Sequence, residues 1–112
     1  MTPQEAFNLV DHVIDIINML RTDPNYTKEQ RAQFGTLRDE LEDRQDVLLK
    51  KIFDSTTQAY QDAADGLTKA AGQLQSTIAQ IDNFVAALGA IKSVISSVDS
   101  LVATAASVAG KI

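Results

Sequence analysis

The sequence predicts an all-α fold, and three observations lead to that prediction. No proline follows Pro24, so nothing in the rest of the chain removes a backbone donor from a helix. Apolar residues recur at steps of three and four, whereas the alternating apolar pattern of a strand does not occur. With 112 residues, the chain is long enough for one packed core and too short for two. We therefore expect a single helical domain over 1–112, an elongated three-helix hairpin or coiled-coil-like bundle with one long C-terminal helix.

Helix one is predicted over 3–21. The opening Thr2-Pro3-Gln4-Glu5 places a hydroxyl at the N-cap, proline at the first helical position and a carboxylate at the third, which together form a capping box. The apolar residues that follow form a face too wide for one neighbouring helix to cover. The helix should end before Pro24, because proline disfavours helical backbone at the residue preceding it.

Helix two is predicted over 28–64. Thr27 and Gln30 have the spacing of a second capping box. Half of the residues in 28–51 are charged, with acids and bases interleaved, which is typical of a solvated helix face with short-range ion pairs. The predicted end is the Asp65-Gly66 dipeptide, since glycine readily adopts the left-handed conformation that caps a helix.

Helix three is predicted over 67–110. From Ala63 to Ile112, apolar residues follow alternating steps of four and three without a slip, which is the pattern of a heptad repeat. A continuous helix of about 45 residues would measure about 67 Å, at 1.5 Å per residue. A compact domain of this size has a radius of gyration near 13 Å, so the rod predicts an elongated molecule.

A compact four-helix up-down bundle is the alternative architecture, with breaks near 54–57 and 89. Ser55 and Gln58 have capping-box spacing, and the apolar stripe of helix two changes phase between Ile52 and Thr56. Gly89 would supply the second break. The heptad repeat continues through Gly89 without interruption, which favours the single long helix.

Few residues in the chain have the chemistry of a catalytic or metal site. There is no cysteine, which excludes disulfides, thiolate metal sites and thiol nucleophiles. His12 is the only histidine, and no second ligand stands at zinc-binding spacing. The acidic cluster from Asp39 to Asp46 is interleaved with Arg38, Arg44, Lys50 and Lys51, as on a solvated face with ion pairs. We expect no enzymatic activity, no cofactor and no small-molecule substrate.

The charge and the N-terminal composition limit partners and location. A formal net charge of −5 repels phosphate backbones, so nucleic acid is not an expected partner. The first twenty residues lack the basic region and cleavage site of a secretory signal. These features predict a cytoplasmic protein, or one exported without a cleaved signal peptide.

The last predicted helix carries the candidate interaction surface. Its apolar positions extend beyond the two positions per heptad that one partner helix covers, while outward positions such as Gly72, Ala86 and Ser93 are small rather than charged. We therefore expect a non-enzymatic interaction or assembly module that joins copies of itself or binds a partner helix. The residues assigned to this surface are Ile91, Val94, Ile95, Val98, Leu101, Val102 and Val108.

Membrane action of residues 84–112 is the alternative function. This segment is rich in small residues, has one wide apolar face, and places Lys92 and Asp99 seven residues apart on one side. In general character it resembles the inserting hairpins of helical pore-forming toxins. That resemblance implies a pore-forming or membrane-surface protein, although the basic face that brings such helices to anionic membranes is missing.

Overall fold

The structure, a computed structural model, describes residues 1–51, 53–79 and 84–109, without the side chains of 78–79 and 105–109. Within these ranges the chain forms four α-helices and no strand. This confirms the predicted all-α bundle. The helices are α1 (Pro3–Arg21), α2 (Lys28–Lys50), α3 (Gln58–Ala79) and α4 (Phe84–Ala109).

Both predicted capping boxes are present and begin α1 and α2. The Thr2 hydroxyl accepts a hydrogen bond from the Glu5 backbone N–H at 3.1 Å, and the Glu5 carboxylate accepts one from the Thr2 backbone N–H at 3.0 Å. Thr27 and Gln30 form the same reciprocal pair at 3.1 and 2.9 Å. Each box satisfies two backbone donors that have no partner within the helix, which explains why these starts could be predicted to the residue.

The predicted extent of helix two, 28–64, is wrong, because α2 ends at Lys50 and α3 begins at Gln58. Asp54 accepts hydrogen bonds from the backbone N–H and the hydroxyl of Thr56, at 3.0 and 2.6 Å. The Thr57 hydroxyl accepts one from the Tyr60 backbone N–H at 3.2 Å. These local side-chain bonds compete with helical hydrogen bonds and favour a turn at 54–57, as in the four-helix alternative.

The predicted long helix over 67–110 is also wrong. The chain is helical through Gly66 up to Ala79, α4 starts at Phe84, and the two helices pack against each other. The Ser97 hydroxyl lies 3.4 Å from the Gly66 carbonyl oxygen. Gly89 lies within α4, so the break predicted there does not occur either. A heptad repeat shows which residues are buried, and it can keep its phase across a chain reversal.

The four helices surround one core in the order α1, α2, α4, α3, so consecutive helices are not always neighbours. Near their N-termini, α2 and α4 place the Phe34 and Phe84 rings 5.3 Å apart. Towards their C-termini, Arg44 bonds to Asp99 at 2.6 Å. These two helices are therefore parallel neighbours, and the connection from α2 to α3 joins helices on a diagonal. Local sequence patterns do not specify this crossover.

The bundle is moderately elongated, measuring 49 × 21 × 18 Å, with a radius of gyration of 14.5 Å. Its length falls well short of the predicted rod because α3 and α4 lie side by side. Every helix contributes apolar side chains to a continuous core. The largest fully buried side chains include Phe34, Leu41 and Leu48 of α2, Tyr60, Leu67 and Leu74 of α3, and Ile91, Val94 and Leu101 of α4.

Gly66→Ala is expected to raise the free energy of unfolding by about 1 kcal/mol, because alanine is favoured over glycine in a helix interior. An added Cβ would meet no atom within 4 Å. Urea unfolding followed by circular dichroism measures the change. Gly35→Ala is the matched control, since its Cβ would lie 3.1 Å from Arg21 Nε and part of the gain should be lost. A destabilised Gly66→Ala would instead favour the left-handed turn predicted from the sequence.

Candidate interaction surface

The apolar stripe assigned to the interaction surface lies inside the bundle. Ile91, Val94, Ile95, Val98 and Leu101 are buried, and Val102 is half-buried. Val108 lies outside the residues whose side chains the structure describes. The prediction of an uncovered stripe on α4 is therefore wrong for the folded bundle. The cover comes from α2 and from α3, whereas one continuous helix over 67–110 would hold most of α3 in line with α4.

The outer side of the α3/α4 pair forms a shallow groove of about 730 Å³, here called the small-residue groove. Five of its eight lining residues are glycine, alanine or serine. Small residues allow the backbone of another helix to approach closely. Three outward positions singled out from the sequence, Gly72, Ala86 and Ser93, meet in this groove. Its lining is completed by Lys69, Gln73, Ser76, Thr77 and Ala90.

A second, more apolar groove of about 540 Å³ lies beside the C-terminal half of α1. It is lined by Ile16, Met19 and Leu20, with Gln75 contributed by α3 and His12 also lining it. Met19 is 67% exposed, which is high for a large apolar side chain. Ile16 and Leu20 are themselves buried, so Met19 is the exposed apolar side chain among the residues of α1 that line this groove. The groove was not identified as a site from the sequence.

Polar contacts fix how α4 and α1 sit on α2. Arg44 donates to Asp99 at 2.6 Å, and this hydrogen bond raises the pKa of the guanidinium. The buried Gln45 side chain donates to the Phe7 carbonyl oxygen at 3.3 Å and to the Asp11 carboxylate at 3.2 Å. Asp99, one of the charged residues on the segment considered for membrane action, is therefore paired with a neighbouring helix.

Tyr60 places a polar hydroxyl group in the apolar core. Its side chain is 1% exposed, and its hydroxyl has no hydrogen-bond partner within the part of the chain that the structure describes. The Phe53 ring packs edge-on against it, with centroids 5.8 Å apart. Burial, and then the negative charge of Glu5, raise the pKa of Tyr60 above its ordinary value of 10.0.

Tyr60→Phe is expected to raise the free energy of unfolding by about 1 kcal/mol, because it removes a buried donor without a partner. The raised pKa of Tyr60 means that the folded state favours the neutral phenol. Below pH 10.0 the phenol is neutral in both the folded and the unfolded state, and its protonation does not reduce the stability of the wild type. As the pH rises from 10.0 through the folded-state pKa, ionisation of Tyr60 in the unfolded state lowers the free energy of unfolding of the wild type, whereas the variant has no such group. The advantage of the variant should therefore grow at alkaline pH. Urea unfolding at neutral and alkaline pH measures it, and a destabilised variant at neutral pH would show that the hydroxyl has a partner.

Among the helices that the structure describes, one is long and apolar enough to cross a membrane, by length and composition alone. The segment is Phe84–Thr104, with 21 residues and a mean hydropathy of 1.5. One-third of the most apolar window is buried inside the bundle. Core helices of soluble proteins have the same properties, so this observation on its own does not place the protein in a membrane.

The described surface offers grooves rather than a cluster of reactive groups. Within the described residues, no three or more His, Asp or Glu side chains are grouped as a metal ion would require. His12 is exposed on α1. Comparisons of the chain with protein-family models, with curated proteins and with solved structures find no match.

Proposed function

We propose that this protein is a non-enzymatic helical interaction module that takes an additional helix, from a second copy of itself, into the small-residue groove. The observation that carries the proposal is the groove of about 730 Å³ between two packed helices, lined mainly by glycine, alanine and serine. A partner protein with a suitable helix would use the same surface. The proposal keeps the expected involvement of the C-terminal helix and moves the contact from its inner stripe to its outer face.

The dimensions of the groove suit a helix. Ala86 and Ala90 are one turn apart on α4, and Gly72 and Ser76 are one turn apart on α3. Helices with small residues at the contact approach to axial distances near 8 Å, the lower end of the usual range. Burying a few hundred Å² of apolar surface contributes several kcal/mol, at about 25 cal/mol per Å², before the cost of association. Because the cost of association is of similar size, we expect weak self-association that is detected only at high micromolar protein concentration.

Gly72→Leu is expected to weaken self-association at least about tenfold, because the larger side chain fills the groove. Gly72 is exposed, and an added Cβ would meet no atom within 4 Å, so the monomer should tolerate the change. Sedimentation equilibrium of the wild type and the variant measures the effect. Gly89→Leu is the matched control, since Gly89 is equally unobstructed but does not line the groove. A wild type that stays monomeric at high micromolar concentration would contradict self-association.

Membrane action is the second candidate function, and the apolar segment Phe84–Thr104 is the observation that favours it. This function requires the bundle to open, because the apolar stripe of α4 faces the core. Flotation with anionic and neutral liposomes at physiological salt tests it, together with release of a trapped dye. Binding accompanied by dye release would support membrane action, and no binding to either liposome would remove it.

A further inference from the structure

Basic side chains converge on a groove between α1 and α2, on a protein that is acidic overall. The groove has a volume of about 380 Å³ and is lined by Arg21, Lys28, Arg31 and Arg38. The chain has only ten lysines and arginines and a net charge of −5, so these four side chains are a marked concentration. Asp39 is the one carboxylate in the lining, and Glu42 lies 3.9 Å from Arg38 just outside it, which leaves a local charge of about two positive units. We call this the basic groove.

Two of the guanidinium groups are held together by a neutral acceptor. Arg21 and Arg38 both donate to the side-chain oxygen of Asn18, each at 3.3 Å. Arg38 also bonds to Asp39 at 2.9 Å, whereas Arg21 has no carboxylate partner within the described residues. Arg21 lies across α2 at Gly35, where a Cβ would stand only 3.1 Å from its Nε atom. The absence of a side chain at Gly35 thus leaves room for this guanidinium.

The other two cations have no partner among the described residues, and they occupy a position that is electrostatically unfavourable for them. In the described part of the chain, the side chains of Lys28 and Arg31 make no hydrogen bond or ion pair. Both lie within the first four residues of α2, where the positive end of the helix dipole disfavours cations. An anion bound between them and Arg21 would offset this repulsion.

We infer that the basic groove binds a small ligand carrying two or more phosphate groups. Planar guanidinium groups match phosphate oxygens in pairs, and three of the four cations are arginines. A volume of about 380 Å³ lies within the usual size range of small-molecule sites. A long nucleic acid would need an extended basic surface, which a chain with a net charge of −5 does not favour. This site is separate from the small-residue groove and goes beyond the proposed function.

Isothermal titration calorimetry with inorganic pyrophosphate and tripolyphosphate, at low salt, tests the inference. We expect saturable binding at one site, tighter for tripolyphosphate and weakened by added salt. Arg31→Gln and Arg21→Gln should each weaken binding at least about tenfold, the usual effect of losing a hydrogen bond to a charged group. The Arg31 side chain makes no bond within the described chain, so Arg31→Gln should fold normally, which circular dichroism checks.

The matched control is the double variant Lys50→Gln/Lys51→Gln, which removes two exposed cations outside the groove. Binding in this variant should equal that of the wild type. Amide shifts in nuclear magnetic resonance spectra should change for residues 27–39 on addition of tripolyphosphate. The inference is overturned by an absence of saturable binding, by an equal loss in the control, or by a polyglutamate peptide that binds as tightly as tripolyphosphate.

Discussion

Leu101→Asp is expected to unfold the bundle. Leu101 is 1% exposed and belongs to the core cluster that joins all four helices. The substitution would bury a carboxylate without a partner and remove apolar contacts, at a combined cost above about 4 kcal/mol. Domains of this size have a total stability of about 5–15 kcal/mol, so the variant should lose most or all of its cooperative transition. Thermal and urea unfolding followed by circular dichroism measures the loss.

Ser100→Asp is the control for Leu101→Asp, because it adds the same charge one residue away on the exposed side of α4. Surface substitutions of this kind usually change stability by less than about 0.5 kcal/mol. The comparison also distinguishes between the two orientations of α4. If Leu101→Asp kept the stability of the wild type and only lowered the mass of an assembly, the apolar stripe would face a partner rather than the core.

Phe34→Ala is expected to destabilise the protein by about 3–5 kcal/mol, the usual cost of removing a fully buried aromatic ring. Phe34 is 0% exposed. Its ring centroid lies 5.1 Å from that of Tyr26 and 5.3 Å from that of Phe84, both in edge-on contacts. The ring therefore connects α2 to the turn that follows α1 and to the start of α4. Urea unfolding measures the loss of stability.

The double variant Phe34→Ala/Phe84→Ala tests whether the two rings interact directly. Aromatic pairs in contact contribute about 0.5–1.5 kcal/mol beyond the area they bury. The double variant should therefore lose less stability than the two single variants added together. Phe34→Leu, which keeps most of the apolar volume, should cost clearly less than Phe34→Ala. Strictly additive single losses would show that α2 and α4 are not neighbours at this point.

The sequence alone predicted the fold class and the local starts of helices well, because both depend on short-range patterns. The capping boxes at Thr2 and Thr27 require only a hydroxyl and a carboxylate or amide three residues apart. The heptad repeat correctly marked buried residues of α3 and α4, such as Leu67, Leu74 and Val98. Capping boxes and heptad repeats depend on residues close together along the chain, so they can be recognised without knowledge of the tertiary contacts.

The chain reversals were harder to predict because each depends on a choice between two locally reasonable structures. Asp65-Gly66 has the composition of a turn, yet Gly66 lies in a helix. The turn at 54–57 is stabilised instead by the hydrogen bonds of Asp54 and Thr57. The parallel pairing of α2 with α4 depends on contacts between distant residues, and no periodicity within a single helix specifies it.

For the two candidate sites as well, the sequence shows the residues involved, whereas only the tertiary packing brings them together. Gly72, Ala86 and Ser93 were identified from the sequence as outward positions, but only the packing of α3 on α4 brings them together in one groove. The basic groove requires Arg21 of α1 to lie across α2 at Gly35. Its four cations are spread over eighteen positions in the sequence, where they resemble an ordinary solvated face.

The packing of α3 against α4 places the apolar stripe of α4 inside the bundle and creates the small-residue groove on the outside. A distance measured between these two helices tests this packing most directly. The chain has no cysteine, so spin labels can be attached at Asp65→Cys and Ser96→Cys, both exposed and adjacent to the Gly66–Ser97 contact. Packed helices lie about 8–10 Å apart, so electron paramagnetic resonance should give a label distance below about 25 Å. A distance near 46 Å, the length of about 31 residues of continuous helix, would contradict the bundle.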